Sequence, residues 1–321
     1  MKFFLSLCGV LFLMGNTSFA QDKPTYPPYT IELTYQKLKK DYPFITTIEP
    51  LKSNKIKSKE NIVYKKTNTS KLKLDVYIPK GLSKKTYPAV LLIHGGGWLV
   101  GSKENERVMA QYLALNGYVG ISVSYRLGLE ATYPAGVTDL KDAVRWMRKY
   151  AKKYHINPDK IAVLGASAGA QLAALIGVTP NSSIYGYDTY ISDEIQAIVN
   201  IDGIVSFIHP EAAAESKPGK VSMAGTWLNG EKEENFKNWK EASPLEYVGK
   251  NTPPTLFINS AQPRFHAGRD DMIAILNKYD IYNEVHTIPD SPHSFWLMHP
   301  WFETTLNYTI NFLNKVLKDE K

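Results

Sequence analysis

Ser167 lies at the centre of the run Gly165–Gly169, which reads Gly-Ala-Ser-Ala-Gly and fits the pattern Gly-x-Ser-x-Gly. The apolar stretch IAVL precedes this run, and a second apolar stretch, AQLAALIG, follows it. That context predicts a strand, a sharp turn and a helix, with the serine hydroxyl projecting from the turn above a sheet. Because the start of a helix favours negative charge nearby, the position suits a serine that attacks a carbonyl group. We therefore predict that Ser167 is a nucleophile.

Three glycines follow another apolar stretch, in the run YPAVLLIHGGGW. Glycines at the end of a buried strand leave backbone N–H groups free to point at a developing oxyanion. The N–H of the residue after a nucleophilic serine is a further donor in such sites. We predict an oxyanion hole formed by Gly96, Gly97 and Ala168, with His94 in a structural role.

These two motifs need a sheet that brings the ends of their strands together. Apolar stretches such as YVGISVSYRL, EIQAIVNIDG and PPTLFINS alternate with segments of helical spacing such as TDLKDAVRWMRKYAKKY. Alternating strands and helices predict right-handed crossovers and a mostly parallel sheet covered on both faces. Two alternating strands around the turn TNTS predict an antiparallel hairpin at one edge. Residues 204–250 predict a helical insertion above the carboxyl ends of the strands, where ligands bind.

The motifs HGGGW, SYRL, GASAGA and EASPLEYV, in this order, resemble those of the α/β-hydrolase superfamily. Within it, the chain resembles the esterase/lipase group that includes the hormone-sensitive-lipase-like and feruloyl-esterase-like (carbohydrate esterase) enzymes. The resemblance covers roughly residues 60–315. It implies the α/β-hydrolase fold, a mostly parallel eight-stranded sheet flanked by helices, with a helical insertion after strand 6. It also implies acyl transfer by a Ser–His–acid triad through a covalent acyl-enzyme, for which no metal and no cofactor are needed.

The catalytic base is expected after the last strand, because the chain order in these hydrolases is nucleophile, acid, histidine. Of the seven histidines, His293 in IPDSPHSFW occupies that place. The others have simpler structural interpretations, at a helix end, within a strand, in the insertion or in the LMHPWF run: His155, His286, His209 and His299. We predict that His293 is the base.

The acid is harder to assign, because the loop FINSAQPRFHAGRDD has no carboxylate where the family usually carries one. Gln262 and Pro263 stand in that place, and a glutamine cannot stabilise an imidazolium as a carboxylate does. Two alternatives stay open beside a dyad or another acid. Asp202 ends the preceding strand beside Gly203, and we favour it. Asp270, further along the loop, also suits the first turn of a helix, where the dipole favours carboxylates.

Cationic and aromatic side chains near the predicted site suggest a kind of substrate. Arg264 and Arg269 follow the carboxyl end of a strand, and a guanidinium matches a carboxylate through two parallel hydrogen bonds. Trp98, directly after the glycines, could stack on a sugar or line an acyl pocket. We hypothesise that these residues bind a carbohydrate, including an acidic one such as a uronate. The alternative is that the two arginines brace the loop.

The first twenty residues (1–20) predict a secretory signal peptide, with a lysine, an apolar run and small residues that end at Ala20. The apolar run is too short for a spanning helix, so no stable membrane insertion is expected after cleavage. The only cysteine, Cys8, would leave with this segment, so the mature chain would have no disulfide and no thiolate metal site. We expect a periplasmic or secreted protein, with an exposed arm at 21–60 and a catalytic domain at 61–321.

Composition narrows the class of partner. The formal net charge is +7, and the lysines are scattered through polar segments, which indicates solubility rather than one basic surface. The chain has no zinc-finger spacing and no P-loop, so nucleic acid is not expected as a partner. We predict an exported serine carboxylesterase that removes acetyl, feruloyl or methyl esters from plant polysaccharides or oligosaccharides. The alternatives are a lipase or peptidase on the same scaffold and a non-catalytic binding protein. The acyl group, the alcohol and the oligomeric state stay open.

Overall fold

The computed structural model describes residues 25–81, 86–186, 188, 190–215 and 221–318, without the side chains of 213–215. The predicted signal peptide therefore lies outside the described residues. One eight-stranded sheet forms the centre of the molecule. Its strands are β1 (Ile56–Lys66), β2 (Lys71–Pro79), β3 (Tyr87–Ile93), β4 (Val119–Val123), β5 (Ile156–Ala166), β6 (Ala197–Ile201), β7 (Thr255–Asn259) and β8 (Asn283–Thr287).

The strands lie in the order β1-β2-β4-β3-β5-β6-β7-β8. β1 pairs antiparallel with β2, and β2 pairs antiparallel with β4. All the later neighbours are parallel, which requires a crossover connection between successive strands. The prediction of a mostly parallel eight-stranded sheet is confirmed.

Helices cover both faces of this sheet. The α-helices are α1 (Ile31–Leu38), α2 (Arg107–Leu115), α3 (Ala135–Lys149), α4 (Ala168–Val178), α5 (Met223–Leu228), α6 (Phe236–Glu241), α7 (Arg269–Lys278) and α8 (Trp301–Leu313). Short 3₁₀ helices lie at Lys103–Glu106, Ser183–Tyr185, Pro210–Glu215, Pro244–Tyr247, Pro263–His266 and Phe295–Leu297, and a π-helical turn at Asn314–Lys318 follows α8.

The central strand β3 shows why the sheet is buried on both sides. All seven of its residues are buried, and successive side chains point to opposite faces. Leu91 belongs to the same apolar core as Leu140 of α3, whereas Leu92 belongs to a second core with Phe312 of α8. A continuous apolar run is therefore what this position demands, because a buried parallel strand has no solvent-facing side.

The predicted insertion lies between β6 and β7, after the sixth strand of the sheet. It contains α5 and α6 and the two 3₁₀ helices at Pro210–Glu215 and Pro244–Tyr247. Trp227 of α5 stacks on Trp98, with ring centroids 5.2 Å apart and planes 11° from parallel. Because Trp98 follows the carboxyl end of β3, the insertion packs over the edge of the sheet where the predicted site residues gather.

The segment predicted as an exposed arm is anchored to the rest of the chain. Thr46–Thr47 forms a short antiparallel pair with Met298–His299. Ile45 and Ile48 on either side are only 2% and 3% exposed. The interpretation as an exposed arm is therefore wrong at these two residues, because their apolar side chains join the core under α8. Within the described ranges, no helix is long and apolar enough to cross a membrane.

Candidate active site

Ser167 occupies a strained turn between β5 and α4. Its backbone has φ 55° and ψ −122°, a region that residues with a side chain rarely adopt. The Ser167 N–H donates to the carbonyl of Ile201, at 2.9 Å, which ties the turn to the end of β6. A methyl group added at Gly203 would lie 2.3 Å from Ala170 Cβ and 2.7 Å from the Ser167 carbonyl oxygen. The close approach of the two loops therefore requires a glycine at 203.

The glycine loop after β3 lies against the nucleophile. A Cβ atom at Gly95 would be 3.1 Å from Ser167 Cβ. Gly96 and Gly97 have φ of 110° and 57°, backbone conformations that glycine adopts without a steric penalty. Ala168, the first residue of α4, follows the nucleophile directly. The glycine loop and Ala168 thus lie on either side of Ser167, and the role of Gly96, Gly97 and Ala168 as an oxyanion hole stays a prediction.

His94 supports this loop. Its Nδ1 donates to the Gly95 carbonyl at 2.8 Å, and its ring stacks on Tyr125 with centroids 4.6 Å apart. The Tyr125 hydroxyl in turn donates to the His94 carbonyl. Burial lowers the pKa of His94 to about 4, so the ring is neutral at pH 7. These contacts fit the structural role predicted for His94.

His293 bridges Ser167 and Asp202. Its Nε2 lies 2.9 Å from Ser167 Oγ, and its Nδ1 lies 2.7 Å from Asp202 Oδ2. A carboxylate can only accept a hydrogen bond, so Nδ1 carries the proton and Nε2 is left to accept one from the serine hydroxyl. The loops after β5, β6 and β8 thus bring together the serine, the histidine and the aspartate predicted as nucleophile, base and acid.

Asp202 is completely buried and held by three hydrogen bonds. Its Oδ1 accepts from the Ser260 backbone N–H at 3.0 Å, and its Oδ2 accepts from the Ser260 hydroxyl at 2.8 Å. The third bond is the one to His293. Ser260 follows β7 directly, so the strand that usually carries the acid here carries its hydrogen-bond donors.

The structure does not bring the alternative acid, Asp270, to the histidine. Asp270 lies in the first turn of α7, and 79% of its side chain is exposed. Its Oδ1 accepts from Arg269 Nε at 2.8 Å, and this hydrogen bond holds the pKa of the Asp270 carboxyl below its usual value. This position fits the other interpretation of Asp270, a carboxylate in the first turn of a helix that the helix dipole favours.

The two arginines predicted to bind substrate are already engaged. Arg269 donates to Asn259 Oδ1 at 2.9 Å as well as to Asp270, which fits the alternative that it braces the loop. The Arg264 guanidinium lies over the ring of Phe265, 4.3 Å from its centroid. Phe265 itself stacks on His293, with centroids 3.5 Å apart and planes 9° from parallel. Sequence reasoning missed Phe265, whose only signal was an aromatic residue in the loop after β7.

Trp98 joins the glycine loop to the insertion. Its indole N–H donates to Gln171 Oε1 at 2.8 Å, and Gln171 Nε2 donates to the Ala242 carbonyl at 2.7 Å. One face of Trp98 stacks on Trp227. The indole N–H of Trp98 is thus engaged within the protein, so any contact of Trp98 with substrate would use its remaining ring surface.

Other histidines pair with local carboxylates. His286 Nε2 lies 3.1 Å from Glu284 Oε2, and His299 Nδ1 lies 2.5 Å from Glu303 Oε1. In the part of the chain that the structure describes, no three His, Cys, Asp or Glu side chains are grouped so that they could hold a metal ion.

Comparison with protein families gives a match over more than half of the chain. The model of the BD-FAE family matches residues 74–273, which is 200 of the 321 residues. The chain belongs to the BD-FAE family. The predicted resemblance to α/β-hydrolase esterases and lipases is thereby confirmed. The matched segment includes Ser167 and Asp202, whereas His293 lies beyond it.

Several curated relatives of this BD-FAE protein carry esterase names. It is 29% identical over 210 residues to esterase LipC of Mycobacterium tuberculosis, covering 63% of this chain and 49% of LipC. It is 27% identical over 258 residues to versiconal hemiacetal acetate esterase of Dothistroma septosporum, covering 74% of this chain and 75% of that esterase. The chain spans about half the length of LipC and of the probable carboxylic ester hydrolase LipM.

Solved structures share the BD-FAE chain's fold. A truncated carbohydrate esterase from gut microbiota superposes with a TM-score of 0.69 at 23% identity, covering 84% of this chain and 99% of that one. Esterase Est2 of Thermogutta terrifontis gives 0.66 at 24% identity, covering 83% of this chain and 94% of that one. At this identity the likeness confirms the α/β-hydrolase fold.

Proposed function

We propose that the protein is an exported serine carboxylesterase that removes acetyl, feruloyl or methyl groups from plant polysaccharides or oligosaccharides. The observation that carries the reaction type is the chain of contacts from Ser167 through His293 to the buried Asp202. This arrangement suits acyl transfer by a nucleophile, a base and an orienting acid.

The reaction would run in two halves. Ser167 Oγ attacks the ester carbonyl while His293 Nε2 takes its proton, and the N–H groups of Gly96, Gly97 and Ala168 hold the oxyanion. The imidazolium then gives the proton to the leaving alcohol, and an acyl-enzyme remains on Ser167. In the second half, His293 takes a proton from water, whose oxygen attacks the acyl carbonyl. The acid is released, and Ser167 regains its proton.

Asp202 would act throughout by keeping the proton on His293 Nδ1 and by stabilising the imidazolium. Its burial strengthens that electrostatic contribution, because the carboxylate itself is excluded from solvent. The two hydrogen bonds from Ser260 fix the carboxylate, so it does not rotate away when the histidine changes charge.

The relatives' names and the N-terminus support the proposed substrate and location. A carbohydrate esterase from gut microbiota and a bifunctional GH43-CE of Bacteroides eggerthii share the fold. The segment 1–20 has the composition of an export signal. Carbohydrate esters are the kind of ester that an exported member of this fold would meet outside the cytoplasm.

A substrate panel tests the proposal. Purified mature protein is assayed on short and long aryl esters, aminoacyl amides, acetylated xylan, methylated pectin and feruloylated arabinoxylan. Release of acetate, methanol or ferulate from a polysaccharide supports it. Activity confined to long-chain esters or aminoacyl amides would select the lipase or peptidase alternative.

A covalent probe tests whether the protein is an enzyme of this class at all. A fluorophosphonate labels an activated serine, so labelling of the wild type that disappears in Ser167→Ala supports the proposed nucleophile. Absence of labelling in the folded wild type would favour the non-catalytic binding protein.

A further inference from the structure

The loop that lacks the acid places an aromatic ring on the histidine. Phe265 lies parallel to the His293 imidazole, with centroids 3.5 Å apart. Trp296 meets the same imidazole edge-on, with centroids 5.2 Å apart and planes at 83°. Phe265 therefore covers one face of the imidazole and Trp296 packs against the same ring, while Nδ1 and Nε2 stay bonded to Asp202 and Ser167.

A cation lies on the other side of the phenyl ring. Arg264 Cζ is 4.3 Å from the Phe265 centroid. The imidazole already occupies one face of that ring, and two groups at these distances cannot share a face. The guanidinium, the phenyl ring and the imidazole therefore form a stack in that order.

Phe265 and Arg264 have opposite effects on the imidazolium form of His293. The face of an aromatic ring carries negative potential and attracts a cation, so Phe265 favours the imidazolium over the neutral imidazole. Arg264 is a fixed positive charge on the far face and competes for the same ring. It therefore disfavours the imidazolium, which is the form that appears while Ser167 attacks.

We propose that Phe265 is a positioning residue that aligns His293 and stabilises its imidazolium, and that Arg264 counteracts this stabilisation through the same ring. The catalytic part of this inference rests on the esterase function proposed above. The loop after β7 would then tune the base, although it no longer supplies the acid.

Other titratable groups also surround His293. Asp202 at the end of β6 favours the imidazolium by direct contact. His266 shares the Pro263–His266 helix with Arg264, and its pKa is lowered mainly by burial. From the N-terminal segment, the Tyr29 hydroxyl reaches Ser294, and burial raises its pKa, so it stays neutral. None of these side chains is itself replaced by the substitutions at 264 and 265.

The kinetic test compares Phe265→Leu with Phe265→Tyr, which keeps the aromatic face. With an aryl acetate as substrate, Phe265→Leu should lower kcat roughly tenfold, change KM little, and move the acidic pKa of the kcat/KM profile down by about half a pH unit. Phe265→Tyr should keep the wild-type kcat and the wild-type pKa. A wild-type pH profile in Phe265→Leu, or equal losses in both variants, would overturn the proposal.

Removal of the Arg264 cation should shift the acidic pKa of the kcat/KM profile in the opposite direction. Arg264→Gln should move the same pKa upward by a similar amount, and the effect should shrink in the Phe265→Leu background because the ring that couples them is gone. Lys153→Gln serves as the control, because it removes an exposed charge two residues before His155, whose carbonyl accepts from the Tyr87 N–H at the amino end of β3. A downward shift in Arg264→Gln, or an equal shift in the control, contradicts the coupling.

Titration of His293 by NMR separates this proposal from the esterase proposal. The imidazole resonance is assigned with His293→Gln, and its pKa is followed in the wild type, Phe265→Leu and Arg264→Gln without any substrate. Opposite shifts in the two variants support the stack even if no ester is hydrolysed. An unchanged His293 pKa in Phe265→Leu refutes the stack even if the enzyme is an active esterase.

Discussion

Replacement of Asp202 by asparagine should reverse the tautomer of His293. The carboxylate accepts from the Ser260 backbone N–H at Oδ1, and from the Ser260 hydroxyl and His293 Nδ1 at Oδ2. A backbone N–H can only donate, so the single oxygen of an asparagine would face Ser260. Its NH₂ group would then occupy the place of Oδ2, beside His293 Nδ1. The Ser260 hydroxyl can rotate to accept from this group, so the fold would tolerate the change.

The chemical consequence follows from the direction of that new hydrogen bond. An NH₂ group donates to Nδ1, so the ring proton moves to Nε2, which lies 2.9 Å from Ser167 Oγ. Nε2 then faces the serine as a donor and cannot take its proton. Loss of the correct tautomer in a triad costs about 10⁴-fold in kcat, or about 5 kcal/mol of barrier. We expect a loss of this order for Asp202→Asn, with little change in KM.

The assay compares Asp202→Asn with Asp270→Asn on an aryl acetate, with thermal unfolding as the check that both variants fold. Asp270 is exposed and hydrogen-bonded to Arg269, so its replacement should leave kcat within about twofold of the wild type. A large loss in Asp270→Asn together with an active Asp202→Asn would refute the assignment of the acid.

Three further predictions concern the frame around the site. Gly203→Ala should destabilise the protein by about 1–3 kcal/mol in urea unfolding and lower kcat, because the new methyl group would lie 2.3 Å from Ala170 Cβ. An unfolding free energy and a kcat equal to those of the wild type would contradict the close approach. Glu106 is buried, and burial raises its pKa from 4.5 to about 8. The folded state thus holds the proton more tightly than the unfolded chain does, so this contribution to stability is complete below pH 4.5 and is lost as the pH rises through 8. Glu106→Gln should flatten the fall of roughly 1.4 kcal/mol per pH unit in the unfolding free energy across this window, and an unchanged slope would count against it. Tyr29→Phe removes the hydroxyl that donates to Ser294 Oγ at 3.5 Å, directly beside His293 in the chain. We expect this change to lower kcat about twofold to tenfold, because the loop that holds His293 loses a hydrogen bond. Tyr35→Phe in α1 is the matched control, and an equal fall in its kcat would contradict the prediction.

The local sequence pattern was sufficient to predict those features that depend on one strand and the loop that follows it. The elbow at Ser167 needs an apolar strand, a tight turn and a helix start, and all three are contiguous in the chain. The sheet itself follows from the alternation of apolar and helical stretches. His293 could be placed because the chain order in this superfamily limits the base to the loop after the last strand.

Features that depend on contacts between distant segments could not be predicted in the same way. The choice between Asp202 and Asp270 depends on which loop lies beneath the histidine, and the sequence does not give that geometry. Phe265 received no role because its stacking partner is 28 residues away in the chain. Ile45 was assigned to an exposed arm because nothing near it in sequence indicates the core that it joins.

The order of the strands explains how Asp202, at the end of β6, can act as the proposed acid. β6 lies between β5, which leads to Ser167, and β7, which leads to Ser260. A carboxylate at the end of β6 is therefore next to the nucleophile's own loop, and the Ser167 N–H bond to Ile201 fixes that distance. Ser260, directly after β7, contributes two donors that hold the carboxylate, so the ends of β6 and β7 together build its environment. With the proposed acid on β6, the loop after β7 is free to carry Phe265 onto the imidazole.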